Sequence, residues 1–567
     1  MICKRAVFVI GTTILLVALL LGVIVSGCTQ ATPTTTTATQ TTTATQTTTA
    51  TQTTTATQTT TATQTTTATQ TQTSEPKSDL RVAVSTFAGG SLDPQISSNT
   101  TGHNIGWAVF DPLVGASPEG TPAPGIAERW EVSPDGMTWT FYIRKGVKFH
   151  DGSDLTGADV KFSIERILDP TATATYAHQW RAKIESVELA GEYTVVLRMK
   201  NPEAEMWAWA SAIGGFEGAI VPKKYIEEHG VDYFRAHPIG SGPWKVVSYD
   251  FNNLLELEAV ESHWRSTPNF KKLTILRLGE ESTRIAMLKT GQLDVIQITA
   301  DQVKTVKDAG LRVINSPGAM GGSYYLYQDP EHPEMTPIGD VRVRKALSLA
   351  VNRQELADFL FSGYGTAGRS GITPNSPYFD PQVLKPKEYD PVQAEALLVE
   401  AGYPDGFDMK IISTPLMPFL DNMAQAIAGY WEKIGVRATF ETMDWSALRP
   451  HLLPKNDEYI WGNAIAFGQP PYIYSTIKMQ YSSLVIHQNH NNTELNSLID
   501  QAEATMNFEE RKKRILEAVV MAENLYFSNP VVMLDYLFAI SDEVNEWTMI
   551  KGMPIPALEY ERITPAK

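Results

Sequence analysis

The stretch VKFHDGSDLTGADVKFSIERIL, residues 147–168, sets His150, Asp151, Asp154, Asp159 and Glu165 beside Lys148, Lys161 and Arg166. Histidine among carboxylates could do general acid–base work or hold a metal ion. The local pattern assigns these side chains a different use. Asp135-Gly136 separates Trp130-Glu131-Val132 from the alternating run Thr138–Arg144, a hairpin signal. In that run Trp139, Phe141 and Ile143 share one face, and Thr140, Tyr142 and Arg144 the other. After a second Asp-Gly at 151–152, Thr156-Gly157-Ala158-Asp159 has the form of a helix start, with Thr156 as N-cap and Asp159 near the positive helix end. Val160, Ile164, Ile167 and Leu168 then recur at helical spacing. His150 and the aspartates are thus spent on a turn and a cap, and convergent metal ligands are not supplied.

Other runs with chemical potential fare no better. Gly363-Tyr364-Gly365-Thr366-Ala367-Gly368 matches G-x-G-x-x-G, but a predicted helix precedes it and Pro374 follows, so it reads as a helix stop and a loop. His487 and His490 form a close pair without a second cluster to complete a metal site. No G-x-S-x-G, C-x-x-C or P-loop is present. No catalytic residue, metal or cofactor is therefore assigned. A glycosidase could conceal its two carboxylates among 63 acidic residues, and would turn over a glycan. A stalked adhesin would take no small ligand.

The elements that position these residues are mixed. Alternating runs predict strands at Leu80–Val84, Thr138–Arg144, Tyr193–Met199, Leu254–Val260 and Leu273–Leu278. Periodic runs predict helices over 340–361, 391–402, 420–435, 493–506 and 508–527. This is an α/β or α+β protein of two or three domains.

The N-terminus reads as an address. Lys4 and Arg5 precede an uncharged stretch from Ala6 to Gly27, closed by Val25-Ser26-Gly27-Cys28. The small residues before Cys28 resemble a bacterial lipobox, which would leave Cys28 lipidated; a retained membrane helix is the alternative. Cys3 and Cys28 are the two cysteines, so the folded part has neither thiol nor disulfide. Residues 29–76 repeat TTTATQ, with Gln40, Gln46, Gln52, Gln58, Gln64 and Gln70 in register. Almost without charge or large apolar groups, this segment reads as a disordered stalk spanning about 40 Å. The formal charge of −16 argues against a nucleic-acid partner.

TPAPGIAERWEVSPDGMTWTFYIRKGVKFHDGSDLTGADVKFSIERILDP, residues 121–170, resembles the signature of the family 5 extracellular solute-binding proteins of ABC transporters, the dipeptide-, oligopeptide- and nickel-binding type. SLDPQ at 91–95, FDPLV at 110–114, HPIGSGPWKVVSYD at 237–250, HWRSTPNFKKLTILRL at 263–278, DVRVRKALSLAVNRQEL at 340–356, YDPVQAEALLVEAGYPDGF at 389–407 and WEKIGVRA at 431–438 continue the likeness in order. The resemblance implies a two-lobed α/β fold of periplasmic-binding-protein type, with an additional small domain and a hinge between lobes. It divides the chain into a signal peptide with lipobox at 1–27, a stalk at 28–79, a discontinuous first lobe (80–115, 240–318 and 535–567), an additional domain at 116–239, and a second lobe at 319–534. Crossings would lie near Ile239–Pro243 and Pro317-Gly318. Capture would shift an open–closed equilibrium, and the closed form would be what the permease recognises.

The resemblance also points to the cleft. Ser97, Ser98, Asn99 and Thr100 match a loop facing it. Family members that bind peptides hold the α-amino group with an aspartate in a segment matching Tyr459–Tyr472, and dipeptide binders use an arginine just before the helix predicted at 420–435. Here 459–472 contains no aspartate and 411–420 no arginine; Asp457-Glu458 lie just upstream. Trp461, Asn463, Phe467, Gln469 and Tyr472 offer aromatic faces and amides instead, suited to a neutral polar ligand such as an oligosaccharide, or to a peptide held through its backbone. The expected partners are a small solute (peptide, oligosaccharide or metal chelate), an ABC permease and a lipid anchor, for a monomer tethered at the outer face of the cytoplasmic membrane or in the periplasm.

Overall fold

A computed structural model describes residues 78–87, 91–96, 100–174, 176–326, 336–413, 419–443, 462–468, 492–550 and 559–566. Its spine is a sheet of eleven strands. Ten lie in line, in the order Val436–Thr442, Phe407–Ser413, Gly462–Gly468, Arg312–Leu326, Ser528–Ile540, Val295–Ile298, Asp79–Val84, Lys272–Arg277, Leu254–Ala259 and Trp244–Asp250. The predicted strands at 80–84, 254–260 and 273–278 are all here. Strand 79–84 pairs in parallel with 272–277 and 295–298, which takes both of its edges, and Leu80, Val82 and Ala83 are buried.

The two long strands run through both halves of this sheet. Arg312–Ser316 pairs antiparallel with Tyr536–Ile540, and Met320–Tyr325 pairs with Ser528–Leu534. Between them the register shifts at Pro317-Gly318-Ala319. Pro317 has no N–H for a ladder and Gly318 sits at φ +58°, a conformation that favours glycine. Asp535 holds this bulge: its Oδ1 accepts from Gly318 N (3.0 Å) and its Oδ2 from Asn315 Nδ2 (2.6 Å). Asn375 Nδ2 donates to Pro317 O (2.8 Å) from the other side.

A separate four-stranded antiparallel sheet, in the order Ala127–Val132, Thr138–Ile143, Thr194–Met199 and Ile184–Gly191, forms a small domain. Trp139, Phe141 and Ile143 point inward as their alternation predicts, against helices Gly157–Leu168 and Ala177–Lys183. Burying a side chain such as Trp139 contributes on the order of 3 kcal/mol. In the other half, helices Val341–Leu349, Arg353–Phe361 and Phe419–Glu432 cover the sheet, with Trp431 and Tyr324 meeting edge to face.

Two expectations need correction. The single helix predicted over 340–361 is two, because Asn352 caps the second by accepting from Glu355 N (3.1 Å). The segment 363–368 is not only a loop, since Gly365–Ala367 pairs with Met533 and its neighbours on the long strand. No helix among the described residues is long and apolar enough to cross a membrane; residues 1–77, with the predicted signal and stalk, lie outside them.

Asp535→Ala should release the bulge and cost about 1–3 kcal/mol, as loss of a carboxylate that satisfies a backbone N–H and a side-chain amide; urea unfolding monitored by tryptophan fluorescence checks it.

Candidate functional site

The chain just before the segment expected to face the cleft is firmly anchored. Asp93 is fully buried and takes both Nη groups of Arg166 (3.0 and 2.9 Å) and Nε of Arg235 (3.1 Å). Gln95 O accepts from Thr173 N (3.1 Å) and Ala174 N (3.0 Å), and Gln95 Nε2 donates to Arg166 O (3.0 Å). These contacts fix the chain immediately before 97–100. Arg166 is presented by helix Gly157–Leu168, whose start is the predicted capping box: Ala158 N donates to Thr156 Oγ1 (3.2 Å) and Thr156 N to Asp159 Oδ2 (2.9 Å). Asp159 also accepts from Lys223 N (3.0 Å); burial pushes its carboxyl up.

A second buried carboxylate organises the base of the same half. Asp111 accepts from His263 Nε2 (3.2 Å), Trp264 Nε1 (2.8 Å) and Arg265 Nη2 (3.1 Å), while Arg265 reaches on to Glu561. Burial pushes Asp111 up, and the Arg265 guanidinium with these donors outweighs it and holds the carboxyl below its usual range. The SLDPQ, FDPLV and HWR motifs are thus joints of the scaffold.

His150 has a comparable task. Its Nε2 meets Gly242 O (2.9 Å), its Nδ1 accepts from Gly240 N (3.2 Å), and its own N–H donates to Gly240 O (2.9 Å). Both ring nitrogens are used, so the neutral ring with hydrogen on Nε2 is selected. Burial pushes its pKa down to about 4. The turn stays folded against 240–242 because Gly240 and Gly242 pack directly on Val109; a Cβ on Gly242 would lie 2.6 Å from the Val109 carbonyl carbon. His150 therefore does more than make a turn: it staples the small domain to the chain crossing at 240–242.

Of the residues predicted to touch ligand, Thr100 is the first residue of helix Thr100–Val109. Asn463 and Phe467 lie on strand Gly462–Gly468, paired with Tyr325 and Gly321 of the long strand. Ser97, Ser98, Asn99, Trp461, Gln469 and Tyr472 lie outside the described residues, as do Asp457, Glu458, His487 and His490. Among the described residues no group of three or more metal-ligating side chains converges.

Sequence reasoning missed a buried polar junction. Lys183, Glu203 and Glu205 of the small domain meet Tyr378, Glu503 and Arg511 from the other half. Glu203 and Glu205 are separated by 300 or so positions from Glu503 and Arg511, and no local pattern links them. Nearby, burial pushes Glu217 up to about 7; its Oε1 accepts from Tyr176 N (2.6 Å), and its Oε2 is buried without a partner.

A sheet bridged by a paired long-strand crossing, with a small four-stranded domain beside it, is the two-lobed fold of the periplasmic-binding-protein type. The chain belongs to the bacterial extracellular solute-binding proteins, family 5, whose pattern matches residues 121–482. It is 29% identical over 433 residues to the heme-binding protein A of Haemophilus influenzae, covering 71% of this chain and 77% of that one. It is 29% identical over 370 residues to the glutathione-binding protein GsiB of Salmonella typhimurium, covering 65% and 70%. Among solved structures, the ABC transporter substrate binding protein CtaP of Listeria monocytogenes superposes with a TM-score of 0.76 at 20% identity, covering 87% of this chain and 100% of that one. The family is one of extracellular solute-binding proteins, and that is the general role it gives this chain.

Because His150 is neutral when folded and titrates near 6.5 when unfolded, its contribution is present above pH 6.5 and lost as pH falls toward 4, by up to ~3 kcal/mol. Thermal unfolding at pH 7 and 4.5 should show a smaller acid loss for His150→Gln than for the natural chain.

Proposed function

We propose that the chain is the tethered receptor of an ABC importer, capturing a peptide or a similar small solute between its lobes and delivering it to the permease without breaking a bond. The observation that carries this reading is the long-strand crossing: one pair of strands serves both lobes and is interrupted at Pro317-Gly318-Ala319, where a few backbone torsions can absorb closure. We place the lobe boundaries there, at 318–319 and 534–535, with the additional domain at 116–239. Ser97, Ser98, Asn99 and Thr100 are the contacts from one lobe, and Trp461, Asn463, Phe467, Gln469 and Tyr472 those from the other. Cys28 carries the lipid, and the threonine-rich stalk lifts a monomer off the outer face of the membrane.

Cargo in this family is diverse, as relatives named for heme and glutathione illustrate. The absence of an aspartate from 459–472 and of an arginine from 411–420 favours a ligand held through neutral groups. An ammonium or carboxylate buried there without a counter-charge would cost several kcal/mol. A peptide gripped through its backbone fits this, and a neutral oligosaccharide is the second reading on the same observation.

Native mass spectrometry of the purified protein, before and after mild denaturation, should release a small molecule at one copy per chain. A peptide or a sugar decides between the two readings; turnover of a glycan, or no ligand in a following thermal-shift screen of peptides, oligosaccharides and nickel chelates, counts against both. Phe467→Ala and Asn463→Ala are each expected to weaken binding of the released molecule by about tenfold or more, as loss of an aromatic or hydrogen-bonding contact does, measured by isothermal titration calorimetry.

A further inference from the structure

Helices Thr493–Ala504 and Phe508–Asn524 form a hairpin fixed at its base to the second lobe. Arg344 Nε donates to Leu525 O (2.6 Å), and Lys387 pairs with Glu523 (2.8 Å). The turn at the hairpin's other end reaches the small domain. Met506 Sδ fills the space beside Gly136 at the tip of the Asp135-Gly136 turn; a Cβ there would lie 2.8 Å from it. Lys183 is paired with Glu203 of its own domain and with Glu503 of the hairpin. Arg511 donates to Tyr378 Oη (2.8 Å) and back to Thr505 O (2.8 Å) and Met506 O (3.1 Å), and stands 3.5 Å from Glu205. The Tyr378 hydroxyl in turn donates to Glu205. The apolar cluster of the small domain continues through Tyr378 into Leu495, Ile499 and Ile515 of the hairpin.

We propose that this junction is a clasp that sets the open–closed balance of the lobes, with Glu205 and Arg511 as positioning residues that tune capture from outside the segments 97–100 and 459–472. The inference rests on the receptor reading above. Its physical basis is an imbalance. Glu205, 4% exposed, stands 3.5 Å from Arg511, itself 9% exposed. Glu205 Oε2 has no hydrogen-bond partner. Burying an incompletely compensated carboxylate is costly, so the clasp is weak by construction. A strong clasp would keep the lobes shut and bar entry; a weak one leaves the decision to ligand, and apparent affinity then scales with the fraction of molecules able to close. Burial pushes the Glu205 carboxyl up against the pull of Arg511, in keeping with that imbalance.

The test uses the full chain in detergent, with Cys3→Ser and Cys28→Ser, and spin labels on cysteines introduced at exposed Glu192 and Lys513. Distances are read by double electron–electron resonance, with and without a mixed tripeptide pool. Glu205→Gln keeps a hydrogen-bonding group for Tyr378 and removes the excess charge, so the ratio of short to long distances without peptide should rise about fivefold or more. Arg511→Met strands the carboxylates and should lower that ratio by a similar factor. Distances unchanged in both variants, while the peptide pool shortens them, overturn the clasp and leave the receptor standing. Distances moved by neither variants nor peptide overturn the clasp and the peptide reading of the receptor together. If Arg511→Met fails to fold, the conservative Glu205→Gln decides alone.

Discussion

The antiparallel pairing of Arg312–Leu326 with Ser528–Ile540 is the constraint on which the molecule depends. A sheet resists bending across its hydrogen-bond ladder, so a single eleven-stranded sheet would be a rigid plate. The three-residue slip at 317–319 removes ladder bonds from one strand and replaces them with the carboxylate of Asp535. What the backbone gives up in regularity it regains in hydrogen bonds between positions 217 and 220 residues apart in sequence. Each half can then keep its own packing while their relation changes.

The rest of the scaffold follows the same economy. Asp93, Asp111 and His150 each sit where chain segments remote in sequence must be joined, and each is held there by several hydrogen bonds. The recurring motifs are the places where such joints are made, which is why they look chemically rich and yet serve architecture. The junction at Glu205 stands apart because one of its carboxylate oxygens is buried without a hydrogen-bond partner.

Much of the fold could be read from residue order alone. Trp139, Phe141 and Ile143 announce their face by alternation, and Thr156 and Asp159 announce a helix start. The long strands were illegible for physical reasons. RVINSPGAMGGSYYL carries a proline and three glycines, residues that ordinarily mark turns, and their tolerance here comes from partners on both sides that no local window contains. Asn352 broke a periodic helix because its amide offers an alternative partner to the backbone at that point. For the candidate site, residue order puts Asn463 and Phe467 on one short segment, and that segment is a strand. The contacts of Arg511 with Glu205 and Tyr378 were not, since they depend on how separately folded segments come together.

Met320 and Leu534 are directly opposed in the ladder, so everything between them leaves and returns at a single point. The chain between them is in that sense a cassette with adjoining ends. Grafting a relative's corresponding segment at these two positions would exchange everything between them in one step, leaving the four-stranded domain and the strands on the other side of the crossing in place. The diversity of cargo among proteins sharing this frame has a simple structural route in that exchange.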